Sequence, residues 1–126
     1  MLSYGLNPFQ ANVNSKNFLG HTALHDAADS GKVDVLERLI KALKARDDIN
    51  ATNDNGSTAL HLASLWGNVD CVSLLIDAGA NVNAKNNDLN TPLHEASWFV
   101  MGQMCKKDKD KCCRILIESG AEQVSM

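Results

Sequence analysis

The sequence lacks the features that mark proteins of nucleic acids and membranes. Its 15 acidic residues outnumber its 12 basic residues, so it has no dense basic surface for phosphate groups. No apolar run approaches the roughly 20 residues that cross a bilayer. Residues 1–10 also lack the basic start and apolar core of a signal peptide. We expect one domain, binding neither nucleic acid nor membrane, in the cytoplasm or the nucleus.

The first half of the sequence contains no cysteine. All four lie further along the chain, at Cys71, Cys105, Cys112 and Cys113. A disulfide scaffold would spread its cysteines more evenly. Cys71, Cys112 and Cys113 lie beside apolar residues, which favours reduced, packed thiols and a reducing compartment.

Common enzyme motifs are absent as well. The sequence contains no phosphate-binding G-x-x-x-x-G-K-[ST], no G-x-S-x-G nucleophile elbow and no H-E-x-x-H zinc helix. Its carboxylates lie on polar helix faces and in turns. We therefore predict that the chain is not an enzyme, with no catalytic residue, metal site or cofactor.

A four-residue word recurs three times along the chain. Thr-Ala-Leu-His at 22–25 returns at 58–61 and, as Thr-Pro-Leu-His, at 91–94, with offsets of 36 (22 to 58) and 33 (58 to 91). Small residues follow each histidine by two positions, and an Asn-containing word at 11–14, 48–51 and 80–84 precedes each tetrad. This pattern resembles the ankyrin repeat, whose period is about 33 residues and whose signature is T-P-L-H-x-A.

The resemblance implies an all-α solenoid of stacked helix-turn-helix units joined by β-hairpin-like loops. We expect a single domain over residues 1–126. It divides into a capping segment with the first hairpin arm (1–21), repeat 1 (22–57), repeat 2 (58–90) and repeat 3 (91–126), with an insertion at about 100–109.

Hydrophobic periodicity supports the same architecture. In the middle unit the apolar residues Val69, Val72, Leu75 and Ile76 form one helical stripe. The preceding helix, from about Thr58 to Leu65, is too short to be stable alone in water. Each unit must therefore pack on its neighbours, with Gly31, Gly67 and Gly79 ending helices.

The repeated threonines and histidines are interpreted as structural. Each threonine is expected to cap a first helix, while each histidine ring hydrogen-bonds backbone near a hairpin. Units stacked roughly 10 Å apart cannot bring three imidazoles to one ion. The structural motif consists of Thr22, His25, Thr58, His61, Thr91 and His94.

Three segments depart from the repeat. The good helix formers at 41–47 predict that the second helix of the first unit runs on by most of a turn. Leu89 replaces the glycines of the earlier hairpins, Gly20 and Gly56, so we expect Asn87 or Asp88 to take the left-handed conformation. The alternating lysines and aspartates at 106–111 predict a solvated loop, with a partner contact as the alternative.

The resemblance to ankyrin repeats also implies a protein-interaction module or adaptor, monomeric, with another protein as its partner. Such proteins bind through hairpin tips and the concave face of the first helices. The matching positions are Phe18, Leu19, His21, Asp29, Asp54, Asn55, Ser57, Leu65, Trp66, Asn87, Asp88, Asn90, Trp98 and Phe99. Exposed aromatic residues on one face are typical of interaction hot spots.

Other interpretations remain open. Trp66 and Trp98 could instead pack on each other across the stack. Cys105, Cys112 and Cys113, with His94 nearby in sequence, could form a metal- or redox-responsive regulatory site, although their spacing matches no C-x-x-C knuckle. The family resemblance also implies that Asn50 or Asn83 could accept asparaginyl hydroxylation.

Overall fold

The computed structural model describes residues 16–17, 19–43, 49–97 and 106–120, with the backbone alone at 106–109. Within these ranges the chain forms six helices and no strand, as expected for an all-α solenoid. The helices are α1 Ala23–Ser30, α2 Val33–Ala42, α3 Ala59–Trp66, α4 Val69–Asp77, α5 Pro92–Ser97 and α6 Lys106–Glu118.

The two complete first helices have the same start and stop signals. Thr22 and Thr58 have extended backbones, and each side chain accepts a hydrogen bond from the backbone N–H three residues on. Gly31 and Gly67 end these helices in the left-handed conformation, where a side chain is costly. Each first helix is therefore limited to eight residues.

The helices pack in two rows. The first helices α1, α3 and α5 contact one another in order, and so do the second helices α2, α4 and α6. One continuous core runs between the rows, and its fully buried leucines include Leu36, Leu60, Leu75 and Leu116. Eight-residue helices are marginal alone in water, so stability depends on contacts between neighbouring units.

A side chain also joins the first two units at the turns between their helices. Asn68 precedes α4 but does not cap it with its side chain. Instead its Nδ2 donates to the carbonyl oxygen of Ala28 in α1, at 2.7 Å. A Cβ added at Gly31 would lie 3.1 Å from Asn68 Oδ1, so a glycine there makes room for the amide. The bond gives the Ala28 carbonyl a second and shorter partner, since the Gly31 N–H reaches the same oxygen only at 3.4 Å.

The expected extension of the second helix in the first unit is wrong. Helix α2 ends at Ala42, and Leu43 follows with an extended backbone, φ -66° and ψ 138°. Leu43 packs against the core in this conformation. Packing of Leu43 in an extended conformation therefore outweighs helix propensity at the end of α2.

The expectation of a solvated loop at 106–111 is also wrong, because α6 begins at Lys106. Cys112 and Leu116 anchor this helix in the core. Once a helix is anchored, adding turns of good helix formers such as lysine costs little. Residues 98–105 lie outside the described ranges, so the insertion and the other repeat boundaries stay predictions.

Candidate functional site

The hairpins are built around an asparagine that the sequence analysis missed. In hairpin 2, residues 53–57, Asn53 Oδ1 accepts from the backbone N–H groups of Asn55 and Ser57, at 2.8 and 3.0 Å. The Asn53 N–H donates to the Ser57 carbonyl at 2.9 Å, which closes the loop. One side chain therefore fixes the shape of the whole turn.

The other two hairpins repeat this arrangement. In hairpin 1, residues 17–21, Asn17 Oδ1 accepts from Leu19 and His21. In hairpin 3, residues 86–90, Asn86 Oδ1 accepts from Asp88 and Asn90. The signal was available, since the asparagines follow the same offsets as the tetrads, 36 (17 to 53) and 33 (53 to 86).

One histidine joins each of α1 and α3 to the following hairpin. His25 Nδ1 accepts from the Thr22 backbone N–H at 3.0 Å. The ring proton is therefore on Nε2, which donates to the Ser57 carbonyl at 2.8 Å. His61 makes the same pair of contacts, with Thr58 on one side and the Asn90 carbonyl on the other. These rings hold the hairpins on the helices, which is the role that the sequence predicted.

The electrostatics of these rings suit a neutral imidazole. Burial lowers the pKa of His25, although the Ser57 carbonyl opposes this effect. Burial likewise lowers the pKa of His61, and carbonyls of Asn90 and Ala84 oppose it. Both rings are therefore neutral near pH 7, with both nitrogens in use.

Backbone contacts link the hairpins into a continuous row, which we call the hairpin ladder. The Asp54 N–H of hairpin 2 donates to the Leu19 carbonyl of hairpin 1 at 3.2 Å. The Asn87 N–H of hairpin 3 donates to the Asn55 carbonyl at 2.9 Å. Asn87 Nδ2 adds a bond to the Asp54 carbonyl at 3.1 Å. The loop tips are therefore ordered relative to one another.

The expected conformation of hairpin 3 is wrong. Neither Asn87 nor Asp88 is left-handed, and Leu89 itself has φ +65°. The Leu89 N–H donates to the Asn86 carbonyl at 2.9 Å, as Gly56 N–H does to Asn53. The hydrogen bonds of the turn determine the backbone conformation at this position. Leu89 therefore adopts the left-handed conformation that glycine has in the other two hairpins.

The hairpin tips present a mixture of apolar and polar side chains. Leu19 is 51% exposed and Leu89 is 72% exposed. The intervening tip residues Asp54, Asn55, Asn87 and Asp88 are also exposed. Two of the sequence-selected positions differ from these. Ser57 is buried and Asn90 is half-buried, because their carbonyls hold the histidine rings. Phe18 lies outside the described residues.

Trp66, at the end of α3, lies beside the preceding unit. Its Nε1 donates to Asp29 Oδ1 of α1 at 2.6 Å. Trp66 and its neighbour Leu65 are half-buried, and Asp29 is exposed. The hydrogen bond orients the half-buried indole ring at the end of α3. Trp98 and Phe99 lie outside the described residues, so packing between the tryptophans stays the alternative interpretation.

His21 connects hairpin 1 with α1. Its Nδ1 lies 3.0 Å from Asp26 Oδ1, and its ring stacks on His25 with centroids 5.4 Å apart. The side chain is half-buried, whereas the resemblance to ankyrin repeats implied an exposed position. Its contacts position the ring at the boundary between the hairpin and the helix.

Charge is distributed unequally over the described part of the chain. The first helices α1, α3 and α5 contain no lysine or arginine. Together with the hairpin region they carry the acidic residues Asp26, Asp29, Asp54, Asp88 and Glu95, against Lys16 and Lys85. The second helices α2, α4 and α6 together carry seven acidic and seven basic residues, although α4 has only acidic ones, so the net negative charge lies on the hairpin and first-helix side.

The cysteines of the alternative site are placed differently from one another. Cys112 is fully buried in the core at the position that corresponds to Cys71. Cys113 is half-buried, with its sulfur 3.7 Å from Ser97 Oγ. Burial raises the pKa of the Cys71 thiol to about 11. Cys105 lies outside the described residues, and within the described ones no three His, Cys, Asp or Glu side chains form a potential metal-binding group.

Comparison with known proteins agrees with the fold. Among the described helices, none combines the length and the apolar character that crossing a membrane requires. The family model for ankyrin repeats in three copies matches residues 38–126, and a second model for ankyrin repeats in many copies matches residues 6–63. No curated protein matches the chain. With the repeated tetrads, the two helix rows and these matches together, the chain belongs to the ankyrin-repeat family.

Proposed function

We propose that this chain is a protein-interaction module that binds a partner protein through one surface, the hairpin–helix face. Ankyrin repeats are generally protein-interaction modules, and here the tips and first helices supply exposed side chains on a fixed backbone. In the described residues this face comprises Leu19, His21, Asp29, Asp54, Asn55, Leu65, Trp66, Asn87, Asp88, Leu89 and Asn90. Phe18, Trp98 and Phe99 join it as sequence-based proposals.

The observation that carries this proposal is the hydrogen bond between Trp66 and Asp29. It joins two units and orients an aromatic side chain before any partner arrives. An ordered aromatic ring loses little conformational entropy on binding, and such residues dominate binding energy at protein interfaces. The bonded hairpin tips extend this preorganised surface.

Electrostatics supports a partner segment that carries lysine or arginine. The hairpins and first helices that carry this face contain five acidic residues and two lysines in the described part of the chain, and three of the acidic residues, Asp29, Asp54 and Asp88, belong to the face itself. A basic segment could pair with Asp29 or Asp54 and place a cation over the Trp66 ring. Binding should therefore weaken as salt is raised, because exposed charges are screened.

The chemistry of the repeated histidines supports binding over catalysis. Both ring nitrogens of His25 and His61 are engaged with backbone groups, so neither ring is available as a general base. The buried, high-pKa thiol of Cys71 is a poor nucleophile. We propose a non-enzymatic module in a reducing compartment, the cytoplasm or the nucleus.

The test is affinity capture from the native source followed by mass spectrometry, with matched variants. Trp66→Ala should abolish capture of the specific partner, and Asp29→Ala should reduce it. Glu37→Ala, an exposed change on α2, should leave capture intact. Circular dichroism of each variant checks that the fold remains.

Two results would contradict the proposal. Undiminished capture by folded Trp66→Ala would remove this face as the binding site. Loss of capture with Glu37→Ala alone would place binding on the second helices. Stoichiometric zinc in the purified protein would instead support the metal-responsive alternative.

A further inference from the structure

Hairpins 1 and 2 require glycine at Gly20 and Gly56, because the backbone of the following hairpin passes very close to these residues. A Cβ added at Gly20 would lie 2.7 Å from the Asp54 backbone nitrogen. At Gly56 the added Cβ would lie 2.9 Å from the Asn87 backbone nitrogen. Both distances are well below a normal van der Waals contact of roughly 3.5 Å. Any larger residue would push the next hairpin away.

Leu89 occupies the same position in hairpin 3 with the same backbone shape. Its φ of +65° compares with +79° at Gly20 and +75° at Gly56. Its N–H donates to the Asn86 carbonyl, which matches the contact of Gly56 with Asn53. The Cβ of Leu89 therefore lies at the position in hairpin 3 that corresponds to the open space at Gly56 in hairpin 2. At Gly56 the backbone of the following hairpin passes through this space.

The leucine is unfavourable in this conformation and has little packing to offset it. Left-handed backbone is strained for a residue with a bulky side chain, and the two sister hairpins use glycine. The side chain is 72% exposed, so burial recovers little of this strain. The exception points to a role for the side chain at this place.

The neighbouring histidine does not create the obstacle. His94 keeps the tetrad geometry, since its Nδ1 accepts from the Thr91 N–H at 3.1 Å. Its Nε2, the atom that holds the next hairpin in the first two units, makes no hydrogen bond to a described residue. A donor for a further hairpin is thus in place on the helix side, and the block lies at Leu89.

We propose that Leu89 terminates the hairpin ladder. It prevents a further ankyrin hairpin, whether from the same chain or from a second copy, from donating a backbone N–H to the Asp88 carbonyl. The third hairpin therefore keeps an exposed edge that ends in an apolar side chain. This inference concerns the geometry at Leu89 and is independent of the proposed partner-binding function.

A grafted hairpin tests this inference directly. A copy of residues 47–79, which contain hairpin 2 with α3 and α4, is appended after Gly120 in the natural chain and in Leu89→Gly. Hydrogen exchange is followed at the grafted amide that corresponds to Asp54. With Leu89→Gly this amide should exchange at least about fivefold more slowly than with leucine, because it gains a backbone hydrogen bond. Equal protection in the two backgrounds overturns the proposal.

The matched pair Gly56→Leu and Leu89→Gly tests the steric premise without any graft. Gly56→Leu should lower the urea midpoint, since its side chain displaces hairpin 3. Leu89→Gly should keep or raise the midpoint, because strain is relieved. An unchanged midpoint for Gly56→Leu, or a lower one for Leu89→Gly, contradicts the proposal.

Discussion

The first two units and the third unit carry the same tetrad, but they use it differently. His25 and His61 are buried, and each donates to the carbonyl of the following hairpin. His94 is half-buried and bonds only to Thr91 among the described residues. The tetrad therefore caps its own helix without help from other units. Its hydrogen bond to the following hairpin, in contrast, depends on the next unit.

The largest contrast is expected between His61→Ala and His94→Ala. The first change leaves a cavity, removes the cap contact and removes one of the two hydrogen bonds that the Asn90 carbonyl accepts, the other coming from the Asn86 N–H. We expect a loss of about 3 to 5 kcal/mol in the free energy of unfolding. For His94→Ala we expect about 1 kcal/mol, because only the local cap is lost. Urea unfolding measures both, and equal losses would show that the units do not differ in this way.

The hairpin asparagines should give the next largest effect. Asn53→Ala removes the acceptor of two backbone N–H groups in a buried turn. We expect a loss of about 2 to 3 kcal/mol. Asn17→Ala removes the matching contacts of the exposed hairpin 1, where water can replace them, and should cost about 1 kcal/mol or less. A larger loss at Asn17 than at Asn53, by urea unfolding, would reverse this ranking.

Stability should also depend on pH through the buried histidines. Burial lowers the pKa of His61 in the folded state, so the unfolded chain binds more protons as the solution is acidified. This contribution is fully present above the unfolded pKa of about 6.5 and is lost as pH falls below it. Urea midpoints measured from about pH 5 to about pH 8, a range that brackets the histidine pKa, give the slope of stability against pH.

Matched glutamine variants test the contribution of the buried histidines. His61→Gln keeps a donor and an acceptor but does not titrate, so the slope should flatten. His25→Gln should flatten the slope in the same way, because burial also lowers the pKa of His25. An unchanged slope in His61→Gln would assign the pH dependence to other groups.

The smallest effect on stability is expected at the hairpin–helix face itself. Trp66→Phe keeps an aromatic ring but removes the hydrogen bond to Asp29. Because this contact lies at the surface, we expect a loss of about 0.5 to 1 kcal/mol in urea unfolding. Asp29→Asn keeps an acceptor oxygen and serves as the milder control. A loss above about 2 kcal/mol in Trp66→Phe would indicate a structural role for the indole.

The sequence predicted the features that local chemistry determines. Threonine before a short apolar run and glycine after it gave both ends of the first helices, and the in-phase repeat gave the stacked fold. Leu89 and the end of α2 were predicted wrongly, because tertiary packing and a hydrogen-bonded turn overrode residue preference there.

The candidate face was harder to predict than the fold. Exposed hairpin positions followed from the repeat register, but Ser57 is buried beneath the row of tips. The bond between Trp66 and Asp29 joins residues 37 positions apart, and no local pattern signals it. Asn17, Asn53 and Asn86 recur in phase, so closer comparison of the repeats would have found them.

The amide of Asn68 gives the units a fixed order. Its position in the first unit is taken by Lys32, which lacks the carboxamide that reaches the preceding helix. In a chain in which the first two units exchanged places, Lys32 would lie beside the Ser64 carbonyl, the equivalent of Ala28, and no carboxamide would make this contact. Units that look interchangeable in sequence are therefore specific neighbours, and recombination among them is constrained by a single side chain.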